Sequence, residues 1–197
     1  MANQDAAFGL RPLKTVGQQD DSTGMSSYNI SPGDASVIFQ GALVGSPATG
    51  TGYVDLQTAG LVLNLGAFWG TFYNDPTTLK PTFKNYYPGS ITPPNSGAVE
   101  AFVYDSPSQM YEIQSDNTGA SAQTDIFKCA DLAGTSGSTL NGVSSMELAD
   151  STLGTTGQFK IIGVSRDPEN SDLGSANVNW RVMVNEHLLG SGTAGAA

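Results

Sequence analysis

The sequence predicts an all-β protein: an antiparallel β-sandwich or barrel, jelly-roll-like, with an extended N-terminal arm. Three observations lead to this class. Only 13% of the 197 residues are charged and 24 are glycine, so the straight-chain residues that favour helices are scarce. About nine or ten short apolar runs are each bounded by turn residues, as in "SPGD" and "GSPATGTG". The last of these runs alternates with a period of two, which is typical of a half-buried strand.

The chain divides into three segments by composition. Residues 1–24 show neither helical nor alternating periodicity and end in the polar stretch "GQQDDSTG", so we predict an extended arm there. Residues 25–190 carry the apolar runs and are predicted to form the sandwich or barrel core. Residues 191–197, "SGTAGAA", are predicted to be a flexible tail.

Within the core, the clearest strand is "VNWRVMVN". Every second residue from Val178 to Val184 is apolar, so these side chains should share the buried face. In "QFKIIGV", Phe159 and Ile161 alternate with Lys160 in the same way. The stretch "TDIFKCADLA" is the nearest approach to a helix, and we expect it to be short if helical.

The stretch "AFWGTFYN" places four aromatic residues within six positions. Phe68 and Phe72 share strand parity, so we expect their face to be core. Trp69 and Tyr73 would then point toward a second sheet or a neighbouring subunit, and aromatic residues are enriched at interfaces. Trp69 and Tyr73 are therefore candidate subunit-interface residues, with ordinary core as the alternative.

The charge balance restricts the class of partner. The net charge is −10 and the chain has only eight Lys plus Arg residues. Nucleic-acid binding requires basic patches that neutralise phosphates, and anionic membranes attract basic segments, so neither partner is expected. A neutral or basic protein surface is the more plausible partner. No apolar run approaches the length of a membrane span, and the first 25 residues lack the apolar region of a secretory signal, so we expect a soluble protein.

A search for catalytic or metal-binding groups yields little. His187 is the single histidine and Cys129 the single cysteine, whereas a zinc site takes three or four such ligands. No G-x-S-x-G motif accompanies the histidine. We favour a surface or interface hydrogen bond for His187, which makes it a third candidate subunit-interface residue, and a small buried apolar role for Cys129. The sequence therefore predicts no enzyme, no catalytic residue, no cofactor and no metal.

Carboxylates are the remaining candidates for chemistry. The segment "RDPENSD" lacks calcium-loop spacing, so a solvated acidic turn is the favoured interpretation. Glu100 and Glu112 lie on candidate strands, where the spacing of two carboxylates in the fold decides whether they could hydrolyse a glycoside. We favour outward-facing or interface positions for both, and an enzyme of this kind ranks behind a structural or binding role.

Both ends of the sequence resemble a group of tailed-bacteriophage structural proteins, the capsid decoration or cement proteins. The opening "MANQDAAFGLRPLKTVG" is similar to theirs in Met-Ala-Asn followed by Phe-Gly-Leu-Arg-Pro. The stretch "SSMELADSTLGTTGQFKIIGVSRDPENSDLGSANVNWRVMVNEHLLGSGTAGAA" is similar in its "STLGTT" turn and its Trp-x-Val strand. Together they cover about a third of the chain. Two positions depart from the pattern, Asp167 in place of an Arg-Pro pair and the inserted Ala149, and both concern local loops.

The resemblance implies a structural protein of the virion, assembled in the host cytoplasm. It would bind the outer surface of the head as a homotrimer and clamp neighbouring copies of the major capsid protein. In this interpretation the arm lies across capsid subunits, with Phe8 and Leu10 as apolar anchors. Arg11 would make a charge-assisted contact, and Pro12 would stiffen the arm and so lower the entropy lost on binding.

Two alternatives stay open. For the arm, the alternative is a disordered terminus without a role. For the whole chain, it is a phage tail or fibre component with a carbohydrate-binding surface around Trp69 and Tyr73.

Overall fold

The computed structural model describes residues 3–16, 24–47, 49–116 and 119–190. These residues form antiparallel β-sheets packed together around a shared core, and they contain no α-helix, only three short 3₁₀ turns. The predicted all-β antiparallel sandwich is confirmed, while a jelly-roll-like strand order stays a prediction. In chain order the strands are β1 (Arg11–Thr15), β2 (Ser26–Ile30), β3 (Leu43–Gly45), β4 (Asp55–Leu56), β5 (Asn64–Asn74), β6 (Pro81–Lys84), β7 (Val99–Tyr104), β8 (Gln109–Gln114), β9 (Cys129–Ala130), β10 (Leu132–Ala133), β11 (Glu147–Leu148), β12 (Phe159–Val164) and β13 (Asn179–Val184).

Two main sheets make up the sandwich. The first has the strand order β1-β8-β13-β12-β9, and the second has the order β2-β7-β5-β3-β4, with β6 also paired to β5. Strands β10 and β11 form a separate short pair. The consecutive strands β7 and β8 belong to different sheets, so residues 105–108 carry the chain from one sheet to the other.

The alternating patterns of the last strands place the core as expected. The four alternate apolar residues of the last strand segment are all buried: Val178, Trp180, Val182 and Val184. Its neighbour β12 buries Phe159 and Ile161 and exposes Lys160. The segment "TDIFKCADLA" begins inside a single 3₁₀ turn, Gln123–Asp125, and continues through β9 and β10.

The long strand β5 breaks its own alternation. Its register against β7 shifts between Phe68, which faces Val103, and Gly70, which faces Phe102. A bulge of this kind adds one residue, here Trp69, and reverses the side-chain alternation beyond it. Phe68 and Tyr73 therefore both point into the core, and Tyr73 is only 1% exposed. The expected interface position of Tyr73 does not hold, because its side chain lies inside its own chain.

The N-terminal segment, residues 3–16, packs on the sandwich and is called the leader below. Its strand β1 forms an edge of the first sheet, paired with β8. Leu10 is 1% exposed and belongs to the core. The prediction of an extended arm over residues 1–24 is therefore corrected for the leader. The Leu10 side chain and the backbone of β1 both make their contacts within this chain.

Amide side chains hold the first residues of the leader. The Ala6 N–H donates to Gln114 Oε1 at 2.9 Å. Gln114 Nε2 and Asn170 Nδ2 both donate to the carbonyl of Gln4, at 2.9 and 2.7 Å. Asn3 Nδ2 donates to the carbonyl of Ala176 at 2.8 Å. Residues 1–2 and 17–23 of the predicted arm, and the predicted tail 191–197, lie outside the described residues.

Candidate functional site

The outer face of the second sheet carries four aromatic side chains, Trp69, Phe72, Phe83 and Phe102, which we call the aromatic patch. The ring centroids of Trp69 and Phe83 are 5.2 Å apart, and those of Phe83 and Phe102 are 6.3 Å apart. Phe72 lies opposite Phe83 in the ladder between β5 and β6. Phe72 and Phe83 are 38% and 47% exposed. The aromatic patch is therefore an apolar surface open to solvent.

Gly70 makes room for the aromatic patch. It lies opposite Phe102, and the ring of Phe83 covers it so closely that a Cβ on Gly70 would lie 2.6 Å from the Cζ atom of Phe83. The bulge at Trp69 then turns that indole away from the core. A strand without a bulge would keep its apolar side chains in one continuous stripe. Here the bulge at Trp69 interrupts that stripe, and Gly70 leaves space for the neighbouring aromatic rings.

A cavity of about 260 Å³ lies between the leader and the second sheet, and we call it the leader pocket. Its lining comprises Phe8, Leu10, Arg11 and Pro12 from the leader, together with Gln40, Gly41, Ala67, Phe68, Trp69, Tyr104 and Val143. All four leader residues predicted to contact a capsid meet here. Trp69 belongs to both the leader pocket and the aromatic patch, so the two form one continuous surface.

Arg11 is held in place beside the leader pocket. Its guanidinium carbon lies 4.0 Å from the ring centroid of Phe8, a cation–π contact. Its Nη1 donates to Glu112 Oε2 at 2.9 Å. The buried Glu112 also accepts a hydrogen bond from the Ser165 hydroxyl. Arg11 itself is 54% exposed in its side chain, so its orientation is fixed while its charge faces solvent.

His187 is buried rather than exposed at an interface. Its Nδ1 accepts a hydrogen bond from the Leu189 N–H at 3.1 Å. Burial lowers the pKa of its imidazole, and the nearby Asp105 carboxylate opposes that shift. The expectation of a surface or interface hydrogen bond is corrected, because both the side chain and its partner lie within this chain.

Two carboxylates from the sequence search, Glu112 and Asp167, have hydrogen-bond partners within the chain. Glu112 is occupied by Arg11 and Ser165, and it lies in a different sheet from Glu100. Asp167 accepts hydrogen bonds from the Glu169 N–H and from Asn179 Nδ2, as expected for a polar turn. Within the described ranges, no group of three or more His, Cys, Asp or Glu side chains is arranged to hold a metal ion.

An acidic cluster that the sequence search missed lies beside the leader. The Asp150 N–H donates to Asp116 Oδ1 at 3.1 Å. Burial, followed by the negative charge of Asp116, raises the pKa of Asp150 to about 7. Burial also raises the pKa of Glu147 to about 7, and Asp5 and Asp116 add to it. Glu147 and Asp150 are three positions apart, but Asp5 and Asp116 come from distant segments, so no local motif identifies the cluster.

The aromatic patch is locally neutral in an acidic protein. The hairpin of β5 and β6 with its turn carries Asp75, Lys80 and Lys84, and β7 adds Glu100. The two charges of each sign cancel, so the net charge of −10 resides on the rest of the chain. On this face, the acidic protein can contact another macromolecule without net electrostatic repulsion.

Comparisons with protein-family models, with curated proteins and with solved structures found no match for this chain. In the part of the chain that the structure describes, none of the helical turns is long and apolar enough to cross a membrane.

Proposed function

We propose that this chain is a capsid decoration, or cement, protein of a tailed bacteriophage. In this proposal it is a structural component of the virion that binds the outer surface of the head as a homotrimer. There it stabilises the lattice by holding neighbouring major capsid subunits together. The observation that carries the proposal is the exposed aromatic patch on a locally neutral sheet face. The resemblance of both ends of the sequence to cement proteins supports the same class.

The aromatic patch suits a protein partner for two physical reasons. Contiguous exposed apolar surfaces commonly serve as interaction sites, and aromatic anchors contribute most of the binding energy at many interfaces. The surrounding charge also matters, because the rest of this acidic protein repels acidic surfaces. We therefore assign the capsid-facing role to the aromatic patch and the adjoining leader pocket.

In this proposal, the role of the leader in binding differs from the role that its composition suggests. Leu10 is committed to the core of its own chain, so it does not act as an anchor on another subunit in this conformation. Phe8, Arg11 and Pro12 stay at the surface beside Trp69, where they extend the docking face. A trimer would present three such faces, and linked faces dissociate far more slowly than single ones.

The test is co-sedimentation with undecorated heads of the cognate phage. Wild-type protein is compared with the double variant Phe72→Ser/Phe83→Ser and with the matched control Phe127→Ser, whose side chain is 74% exposed and whose backbone is bonded to β12 of the first sheet. We expect wild type and control to pellet with heads, and the double variant to lose about tenfold or more in affinity. Wild-type protein that stays in the supernatant contradicts the function, and a double variant that binds normally contradicts the assigned face.

A carbohydrate-binding module is the second candidate, and one observation favours it. A cleft of about 300 Å³ lies between Tyr28 and Tyr53 and includes Ser46 in its lining. The Tyr28 hydroxyl donates to Asp105 Oδ2 at 2.6 Å, and burial together with this bond raises the pKa of Tyr28 to about 12. A glycan array with wild type, Tyr53→Ala and Trp69→Ala tests it, and absence of any glycan signal for wild type excludes it.

A further inference from the structure

The leader pocket has the size and lining of a receptor for one side chain. Its volume of about 260 Å³ is below the usual range for drug-sized ligands. Phe68 and Trp69 from β5 line one side, and Phe8 and Pro12 from the leader line the other. None of the residues that line it is acidic. An aromatic or large aliphatic group would therefore be desolvated against apolar walls.

Arg11 adds a directional charge to this apolar site. The guanidinium carries five N–H donors in a planar fork. In the described part of the chain, its hydrogen-bond partner is Glu112, which occupies Nη1. Stacking on Phe8 and pairing with Glu112 fix the plane of the group, so little entropy is lost when the remaining donors bind a ligand. Carboxylates are the groups that such a fork binds best.

We propose that the leader pocket binds an extended segment of a partner protein, in which an apolar side chain enters the pocket and an adjacent Asp or Glu pairs with Arg11. The leader motif Phe-Gly-Leu-Arg-Pro thus builds a receptor and does not act as the inserted ligand. Trp69 joins the pocket to the aromatic patch, so the rest of the segment continues onto that patch. This inference rests on the proposed function, in which the partner is the protein of the surface that the chain decorates.

A protein segment fits better than a lipid surface. The net charge of −10 repels anionic membranes, whereas a single acidic side chain beside an apolar anchor can accept hydrogen bonds from the Arg11 N–H groups that Glu112 does not use. The neutral aromatic patch then offers area for the neighbouring residues of the same segment.

The direct test uses short peptides and the full-length protein labelled with ¹⁵N. The probes are acetyl-Phe-Asp-amide, acetyl-Phe-Asn-amide and acetyl-Ala-Asp-amide, and the readout is the indole resonance of Trp69, assigned with Trp69→Phe. We expect the Phe-Asp peptide to bind about fivefold more tightly than either control, because each control lacks one of the two recognised groups. In Arg11→Gln the Asp and Asn peptides should bind equally, and in Val143→Phe, which fills the pocket, all three should lose binding.

Folding controls keep the result interpretable. Arg11→Gln leaves the buried Glu112 without its cation, so Arg11→Gln/Glu112→Gln is measured alongside it. Val143→Phe leaves that ion pair intact. Thermal unfolding identifies any variant that has lost the fold. Equal binding of the Phe-Asp peptide and its two controls to wild type overturns the proposal, as does unchanged binding in a folded Val143→Phe variant.

Sedimentation with heads separates this inference from the proposed function. If wild type and Val143→Phe pellet equally, the pocket proposal is overturned while the decoration function stands. If wild type does not pellet but still discriminates between the peptides, the decoration function fails and the pocket proposal stands.

Discussion

Gly9 and Gly41 meet backbone to backbone where the leader joins the second sheet. Both adopt left-handed conformations, with φ of 71° and 83°. A Cβ on Gly9 would lie 2.6 Å from the Gly41 carbonyl oxygen, and that same oxygen accepts the Leu10 N–H at 2.7 Å. The paired glycines therefore allow the leader to approach closely enough for Leu10 to enter the core.

Replacing Gly9 by alanine should destabilise the protein. We expect Gly9→Ala to lower the free energy of unfolding by about 1–3 kcal/mol, since it adds a steric clash to left-handed strain. Gly52→Ala is the matched control, because Gly52 has a similar φ of 75° and no atom of the described residues lies within 4 Å of an added Cβ. The control should lose about 1 kcal/mol. Urea unfolding measures both, and equal losses would mean that the close approach contributes nothing.

Removing the leader's buried side chain should be costly. Leu10→Ala is expected to lower the free energy of unfolding by about 2–5 kcal/mol, as for other large-to-small core changes. Leu140→Ala, at an exposed site, should change it by less than about 0.5 kcal/mol. Urea denaturation of the two variants decides the matter. A leader that hangs free of the sandwich would make Leu10→Ala as silent as the control.

The sandwich could be predicted because its signals are local. The alternation from Val178 to Val184 depends on nearby residues alone, and it places the buried face correctly. The orientation of Tyr73 could not be predicted in the same way. A bulge depends on how β5 pairs with β7, which lies about 30 residues further along the chain, and one added residue reverses every side chain that follows.

The candidate site could be predicted from the sequence only in part, for a similar reason. The motif containing Phe8 and Arg11 stands out by its composition, yet whether it inserts into a partner or lines a pocket depends on Gly41 and Trp69. The polar composition of the leader suggested a free arm. Its polar groups are instead hydrogen-bonded to amide side chains from distant segments, such as Gln114. Local sequence does not reveal hydrogen bonds of that range.

Stability should decrease from mildly acidic to neutral pH. Glu147 and Asp150 have pKa values of about 7 in the folded chain, against ordinary values of 4.5 and 3.8. The folded state therefore keeps protons that the unfolded state releases, so the free energy of unfolding falls as pH rises from about 4 to about 7 and stays low above that. Thermal melts should give a higher Tm at about pH 5 than at about pH 8.

The variant Asp150→Asn identifies the source of this dependence. It should raise the Tm at about pH 8 and flatten the profile, because it removes one of the two partly buried charges. Glu169→Gln removes an exposed charge and serves as the control. An Asp150→Asn profile that parallels wild type would show that this cluster does not govern the pH response.

The thiol of Cys129 should be protected by the fold. Cys129 is buried, and burial raises the pKa of its thiol, so little reactive thiolate is present near neutral pH. We expect reaction with a thiol reagent to be at least about tenfold slower in buffer than in urea. The rate should follow unfolding across a denaturant series, and rapid labelling of the native protein would contradict the buried position.

The two tryptophans should respond differently to a quencher. Trp180 is buried in the core, whereas Trp69 lies at the edge of the leader pocket. Acrylamide should quench wild-type emission in part, and Trp69→Phe should leave blue-shifted emission that acrylamide barely affects. Strong quenching in Trp69→Phe would place Trp180 at the surface and contradict the burial of β13.

The hydrogen bonds of the leader also determine when, during folding, it can dock onto the rest of the protein. Its side chains close onto residues much later in the chain: Arg11 pairs with Glu112 across 101 positions, and Asn3 bonds to Ala176 across 173. Contacts of such separation fold slowly, because a long loop must close before they form. During synthesis, the leader leaves the ribosome well before Glu112 and Ala176, so these contacts cannot form until those later residues have been made. The leader is thus made long before it can be fixed in place.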